Sequence, residues 1–425
     1  MFVRLEMGWM AHPFPANNFR IESQQQIATL RSLGLSTVRW DPALSDVGAL
    51  DAASKAAPAA PEPNRGGRAN SAPVTHPGEL QAIWNADPPA EVLESPKAPD
   101  RLLLQRATLA ACERQLHQAA DACRLALGRV ASEPEQARKD IQTLSNSLLS
   151  QMLNEEDLCV RLVRDGVGSS SSTHALNVAV LAMLLGRRFG CSATELGELG
   201  MGALLHDIGK IGMAQRLHHP DPFFTAAERR GYEEHVEFGL QRGRQMGLPP
   251  SVLQIIAQHH EMLDASGFPG RLGSERMSDA ARIVSLVNAY DTLSNSQINK
   301  TALTPHEALA QMFTYGKKRF DETLLSAFIK LVGVYPAGTT VQLTDERFAV
   351  VVAVDAARPL KPRVLVHDAA VAREDALVVD IGEHPGLGIR RTVKPAHLPD
   401  AALRYLTPRH RVGVFFEPAA MAHPG

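Results

Sequence analysis

A mainly α fold, with a small α/β unit before it and a small β-rich extension after it, is what this sequence of 425 residues predicts. Three observations carry the prediction. Residues 171–334 form successive apolar stripes at helical spacing, separated by helix start and stop residues. After Tyr335-Pro336 the spacing shifts to two, the period of half-buried strands. Ahead of the helices, nine prolines between Pro58 and Pro99, with few bulky apolar residues, mark a stretch unable to offset its own ordering entropy.

The elements follow in order. Ile21–Leu33 places Ile27, Leu30 and Leu33 on one face and stops at Gly34, a helix; Ser36–Trp40 reads as a short strand closed by Asp41-Pro42. Residues 1–44 are therefore a small α/β unit and 45–99 a linker. Asp100–Arg129 and Glu133–Arg164 return to helical periodicity, with Ser132-Glu133-Pro134 as a start signal, so 100–154 reads as a helical connector. The helices expected in the 155–335 domain are Thr173–Phe189, Ala193–His206, Thr225–Met246, Ser251–His260, Ser278–Ser294, Pro305–Tyr315 and Glu322–Val334. Thr225 with Glu228, and Thr304 with Glu307, are capping-box signatures. In 336–425, strands are expected at Thr340–Leu343, Phe348–Val354, Arg363–Val366, Ala376–Val379 and Val412–Phe416. That extension reads either as a small sandwich or barrel packed on the helices or as a separate recognition module.

Composition excludes several classes. Lys+Arg (44) nearly balances Asp+Glu (46), so no global basic excess points to DNA or a membrane surface. The longest apolar run, Ala175–Gly186, is shorter than the ~20 residues a membrane span needs. The N-terminus has no continuous apolar core of a signal peptide, and the four cysteines (Cys112, Cys123, Cys159, Cys191) form no CxxC pair and fall on segments read as helix. A cytoplasmic protein is expected.

The chemistry concentrates in His174, His206-Asp207, Lys210, His235, His259-His260 and Asp264. An isolated histidine is ordinarily a surface or hydrogen-bonded residue. Five of them with an aspartate, at the ends or inner faces of successive helices, are instead the donors that bundles use to build metal sites. A carboxylate shared by two cations suits phosphoryl chemistry, because paired cations lower the pKa of water and neutralise phosphate oxygens.

LLHDIGKIGMAQRL (204–217), EEHVEFG (233–239), HHEMLDASGFPGRLG (259–273) and ARIVSLVNAYDTL (281–293) together resemble an HD-GYP domain over roughly residues 155–335. The N-terminal GWMAHPF and LRSLGLSTVRWD are similar to the uncharacterised domain that often precedes it. The resemblance implies an HD-type helical fold and a bacterial signalling phosphodiesterase that hydrolyses cyclic di-GMP to pGpG or GMP with iron or manganese ions. It makes His174, His206, Asp207, His235, His259 and His260 metal ligands, with Asp207 bridging two ions. Position 288 would complete the first ion with His174 and His206, and Lys210 would contact the scissile phosphate. Asp264 and Gly267-Phe268-Pro269, at the GYP position, would form a substrate or partner loop, a contact for GGDEF-domain proteins; a homodimer is a further expectation.

The sequence departs from that pattern in ways that matter. Asn288 stands where the family has an aspartate, and a neutral amide is a weaker ligand, so the first ion should bind less tightly. Asp291, three residues on, is expected in a supporting role. Ala265 replaces a usual glycine, which disfavours positive φ there. Gln297-Ile298-Asn299-Lys300 replaces R-P-Y-R, leaving Lys300 as the only charge in that segment. Ser170 replaces the glutamate of three-metal members, so at most two divalent ions are expected. Two alternatives stay open: a catalytically weakened nucleotide receptor or protein scaffold, and another HD-type nucleotide phosphohydrolase.

Overall fold

The computed structural model describes residues 2–4, 18–21, 39–41, 98–154, 158–163, 170–295, 303–406 and 413–418. All but the first residue of the expected helix at 21–33 and all but the end of the expected linker lie outside these residues, as does Lys300. The chain divides into two compact units, Met1–Pro96 and Lys97–Pro424. In the first, β1 (Phe2–Arg4) pairs antiparallel with β2 (Asn18–Arg20) and β3 (Arg39–Asp41), in the order β2-β1-β3.

The second unit opens with a helical hairpin of α1 (Ala98–Arg129) and α2 (Pro134–Leu153). Pro134 in the first turn sets the helical φ at no cost in hydrogen bonds, and Ala137, Ile141, Leu144, Leu148 and Met152 form the buried stripe of α2. The helices of the metal-ligand region are α3 (Ser170–Arg188), α4 (Ala193–Leu205), α5 (Ala226–Glu233), α6 (His235–Met246), α7 (Pro250–Gln258), α8 (Asp279–Ser294), α9 (Pro305–Tyr315) and α10 (Glu322–Val332). The expected single helix over 225–246 is thus two, meeting at Glu234, and the junction sets His235 at the first position of α6. Both expected capping boxes are formed, and Ser192 with Glu195 makes a third. The apolar run in α3 is the core: every residue from Ala175 to Leu185 is buried. A helix apolar on all sides is covered on all sides, here by α2, α4, α8 and α10. No helix among the described residues is long and apolar enough to cross a membrane.

The expected helix over 133–164 is corrected. It ends at Leu153, and Leu158–Val163 is a strand, β4. The cause is tertiary: β4 pairs with β10 (Gly413–Pro418) on one side and with β6 (Phe348–Asp355) on the other. Its partners lie some two hundred residues away, beyond the reach of any local pattern, and Cys159 therefore sits in a strand. Cys191 lies between α3 and α4, again not in a helix. The remaining strands are β5 (Thr340–Leu343), β7 (Arg363–Val366), β8 (Val378–Asp380) and β9 (Ile389–Thr392), with a short α11 (Asp400–Leu406) before β10. β6 is the hub, with β7 along one edge and β5 then β4 along the other. Val341, Leu343, Val351, Val354, Val364 and Ile381 fill the core of this sheet. It is no separate module: it contains β4 from before the helices and packs against α1, α3 and α10.

Where β4, β7 and β10 meet, buried Glu417 accepts from Arg161 Nη1 at 2.6 Å and Arg363 Nη1 at 3.1 Å. Removing its charge leaves two buried guanidinium groups uncompensated. Glu417→Gln is expected to cost about 3–5 kcal/mol of stability, read as a lower urea midpoint; an unchanged midpoint would show that the pair contributes nothing.

Candidate metal centre

Each donor stands at a helix terminus or an inward face. His174 lies in the first turns of α3, His206 caps the C-terminus of α4, His235 begins α6, and His259 caps α7 with His260 next to it. Asp207 follows His206 and opens a short 3-10 turn, Ile208–Lys210. Two groups result, each with ligand atoms within 4.8 Å of one another: His174, His206 and Asp207, and Asp207, His235, His259 and His260. Asp207 belongs to both. Its Oδ2 lies 3.8 Å from His174 Nε2 and 3.6 Å from His206 Nε2, while Oδ1 lies 3.6 Å from His235 Nε2 and 3.7 Å from His259 Nε2.

The imidazoles are aimed by their other nitrogens. Nδ1 of His206 donates to Ala203 O at 2.6 Å, Nδ1 of His259 to Ile256 O at 2.8 Å, and Nδ1 of His235 to Tyr232 O. Carbonyls only accept, so these rings carry their proton on Nδ1 and turn an Nε2 lone pair inward. Burial pushes His206 and His260 well below the usual histidine range and His235 down to about 3, so these rings are neutral. For His174 burial acts the same way, but the Asp291 hydrogen bond and charge outweigh it and raise the pKa. Burial likewise opposes charge on Asp207, but the Lys210 ammonium, 2.7 Å from Oδ2, and the surrounding histidines together outweigh it and hold the carboxyl well below its usual range.

A divalent cation fits this arrangement. Asp207 Oδ1 is buried without a hydrogen-bond partner, since both facing nitrogens are beyond hydrogen-bond reach. His235 Nε2 and His259 Nε2 face each other at 3.2 Å with no proton between them, a repulsive contact that a shared cation makes attractive.

Asn288 is buried in α8 and lines the cavity beside His259 and His260; its Oδ1 accepts from Thr292 Oγ1 at 3.3 Å. Asp291 stands behind His174, accepting from Nδ1 at 2.6 Å and from Asn177 Nδ2 and Asn295 Nδ2 at 2.8 Å each. Lys210 also lies over the Tyr232 ring, 5.5 Å from its centroid.

The loop after His260 is stitched to the centre. Phe268, joined to Pro269 by a cis peptide, stacks on His260 with centroids 4.5 Å apart. Gly267 passes so close to the backbone that a Cβ there would lie 2.4 Å from His260 O. The Asp264 carboxylate accepts from Ser266 N at 3.0 Å and so braces the loop itself. Ala265 adopts φ 59, so the positive φ expected to be disfavoured is kept. Two residues that motif reading passes over belong here. The Tyr232 hydroxyl lies within hydrogen-bond distance of His260 Nε2, at 3.2 Å, and its ring packs on His235. Glu261, fully buried, accepts from Gly270 N at 2.5 Å and Leu272 N at 2.8 Å. Its signal was its position directly after the paired histidines.

With the geometry in hand, comparison with known proteins is informative. Residues 147–324 match the HD domain family. Those residues carry an HD domain. Residues 1–141 match a domain of unknown function, DUF3391, ahead of the HD domain. A cyclic di-GMP phosphodiesterase of Pseudomonas aeruginosa is 28% identical over 404 residues, 90% of this chain and 86% of that relative. The cyclic di-GMP phosphodiesterase PdeB of Borreliella burgdorferi is 25% identical over 45% of this chain and 50% of its own length. Among solved structures, an HDGYP protein from Bdellovibrio bacteriovorus matches with a TM-score of 0.40 and 20% identity, covering 50% of this chain and 69% of that one.

Proposed function

We infer that this chain is a metal-dependent phosphodiesterase that opens cyclic di-GMP to pGpG and, by a second cleavage, to GMP. The observation that carries the reading is Asp207, whose two carboxylate oxygens face two different sets of histidines. His174, His206 and Asp207 would hold one ion, and Asp207, His235, His259 and His260 the other; iron or manganese suits these donors. Such ions, when bound, supply activated water and neutralise phosphate oxygens.

The chain's own residues do the rest. Lys210, paired to Asp207 and braced by Tyr232, adds a fixed positive charge where charge builds up on phosphorus oxygens. Phe268, stacked on His260, presents an aromatic face to a base in the adjoining cavity. Glu261 holds the loop rigid beneath it. The relatives' names point to cyclic di-GMP as the substrate.

Asn288 favours a second reading, a receptor or scaffold with little turnover. The first group offers three donors against four in the second, and Asn288, where the family pattern has an aspartate, supplies no charge. Anaerobically purified protein loaded with iron or manganese separates the two readings. Asn288→Asp is expected to raise bound metal toward two per chain and cleavage by about tenfold or more. Turnover by the native chain supports the enzyme. Activity in Asn288→Asp alone supports the receptor, and silence from both with cyclic di-GMP sinks the enzyme reading.

A further inference from the structure

Beside His259 and His260 lies a cavity of about 720 Å³, walled by Tyr232, Phe268 and Asn288 and reached by Arg271. Its volume suits a small ligand of several rings. Three features of Arg271 bear on its role. It adopts φ 51, a left-handed conformation that a side-chain-bearing residue takes up only when its surroundings enforce it. The enforcing group is Glu261, a fully buried carboxylate that holds the backbone N–H on either side of it, at Gly270 and Leu272. Finally, among the described residues no carboxylate pairs with its guanidinium, a feature it shares with Arg229 and Arg319 on the same cavity. The fold thus fixes the base of an exposed cation at the wall of the site and leaves its charge uncommitted. The segment 297–300 contributes no arginine of its own.

A cyclic dinucleotide carries two phosphates on opposite sides of its ring. If one is presented to the histidine groups, the other needs a cation elsewhere in the cavity, and a guanidinium fork matches phosphate oxygens in pairs. We propose that Arg271 grips the second, uncleaved phosphate of the cyclic dinucleotide and so selects two-phosphate rings over mononucleotides. This assignment rests on the phosphodiesterase reading above.

The test is equilibrium binding to the full-length, manganese-loaded protein. The probes are the doubly phosphorothioate-substituted cyclic di-GMP, which resists hydrolysis, and GMP. The variants are Arg271→Gly, which keeps the loop because glycine adopts φ 51 freely, and Arg271→Lys. Arg271→Gly is expected to weaken the cyclic ligand by about 10- to 100-fold and to leave GMP affinity and metal content within twofold. Arg271→Lys should recover part of the loss. Unchanged affinity for the cyclic ligand in Arg271→Gly, or an equal loss for GMP, overturns the role given to Arg271 while the phosphodiesterase reading stands. If the native protein binds no cyclic dinucleotide, both fall together.

Discussion

Asp207→Ala is expected to lose at least about a thousandfold in phosphodiester cleavage and to retain less than half of the bound metal. The carboxylate is the one donor common to both groups, so its removal leaves two imidazoles in one and three in the other. It is also the counter-charge of Lys210, 2.7 Å away, which would then repel incoming cations. Asp207→Asn is the sharper variant, because it preserves shape and removes only charge; the same loss of metal is expected. Metal content with cleavage rates checks both. Chelation of the native protein should lower its unfolding temperature, because an ion that binds only the folded chain stabilises it by mass action. In Asp207→Ala that metal-dependent increment should shrink. An alanine variant with full metal content and full turnover would remove Asp207 from the centre.

Gly209→Ala should be almost as damaging, for a steric reason. Gly209 lies in the turn after Asp207, and a Cβ there would sit 1.7 Å from His235 O and 2.6 Å from Gly239 N. Both are backbone atoms of α6, so no side chain can move aside. Either the turn carrying Asp207 or the helix carrying His235 must shift, at a cost of about 3 kcal/mol or more. The urea midpoint should fall and metal content should fall with it. Gly128→Ala in α1 is the control: nothing lies within 4 Å of the added atom, and helix propensity predicts a gain of up to about 1 kcal/mol. Matching midpoints for Gly209→Ala and the native chain would rule out so close a packing of turn on helix.

Much of the architecture was legible because its signals are local. Ser, Thr and Asp caps, the glycine after Met246 and the prolines at 134 and 305 each act within one helical turn, and the helices began and ended close to where these residues indicate. The break at Glu234 was not legible, because the 225–246 stripe continues across it. Nor was β4. LCVRLV carries a weak local preference, and what makes it a strand is its pairing with Val160↔Val354 on one side and Val160↔Phe416 on the other.

The candidate donors, five histidines and Asp207, could be named from the sequence alone, since which atoms can bind a cation is a property of residue type. Their order along the chain also separated them from the remaining histidines. The direction of each lone pair was decided only by the tertiary structure. His206, His235 and His259 are aimed by carbonyls three residues back, yet the helix ends that hold those carbonyls converge only because α7 packs on α4 and α6, and α6 packs on the turn after Asp207. Asp291 reaches His174 across 117 positions of chain, and Glu261 fixes Arg271 through the backbone on both of its flanks. Donor identity is a local chemical property, whereas donor orientation depends on contacts between segments far apart in sequence.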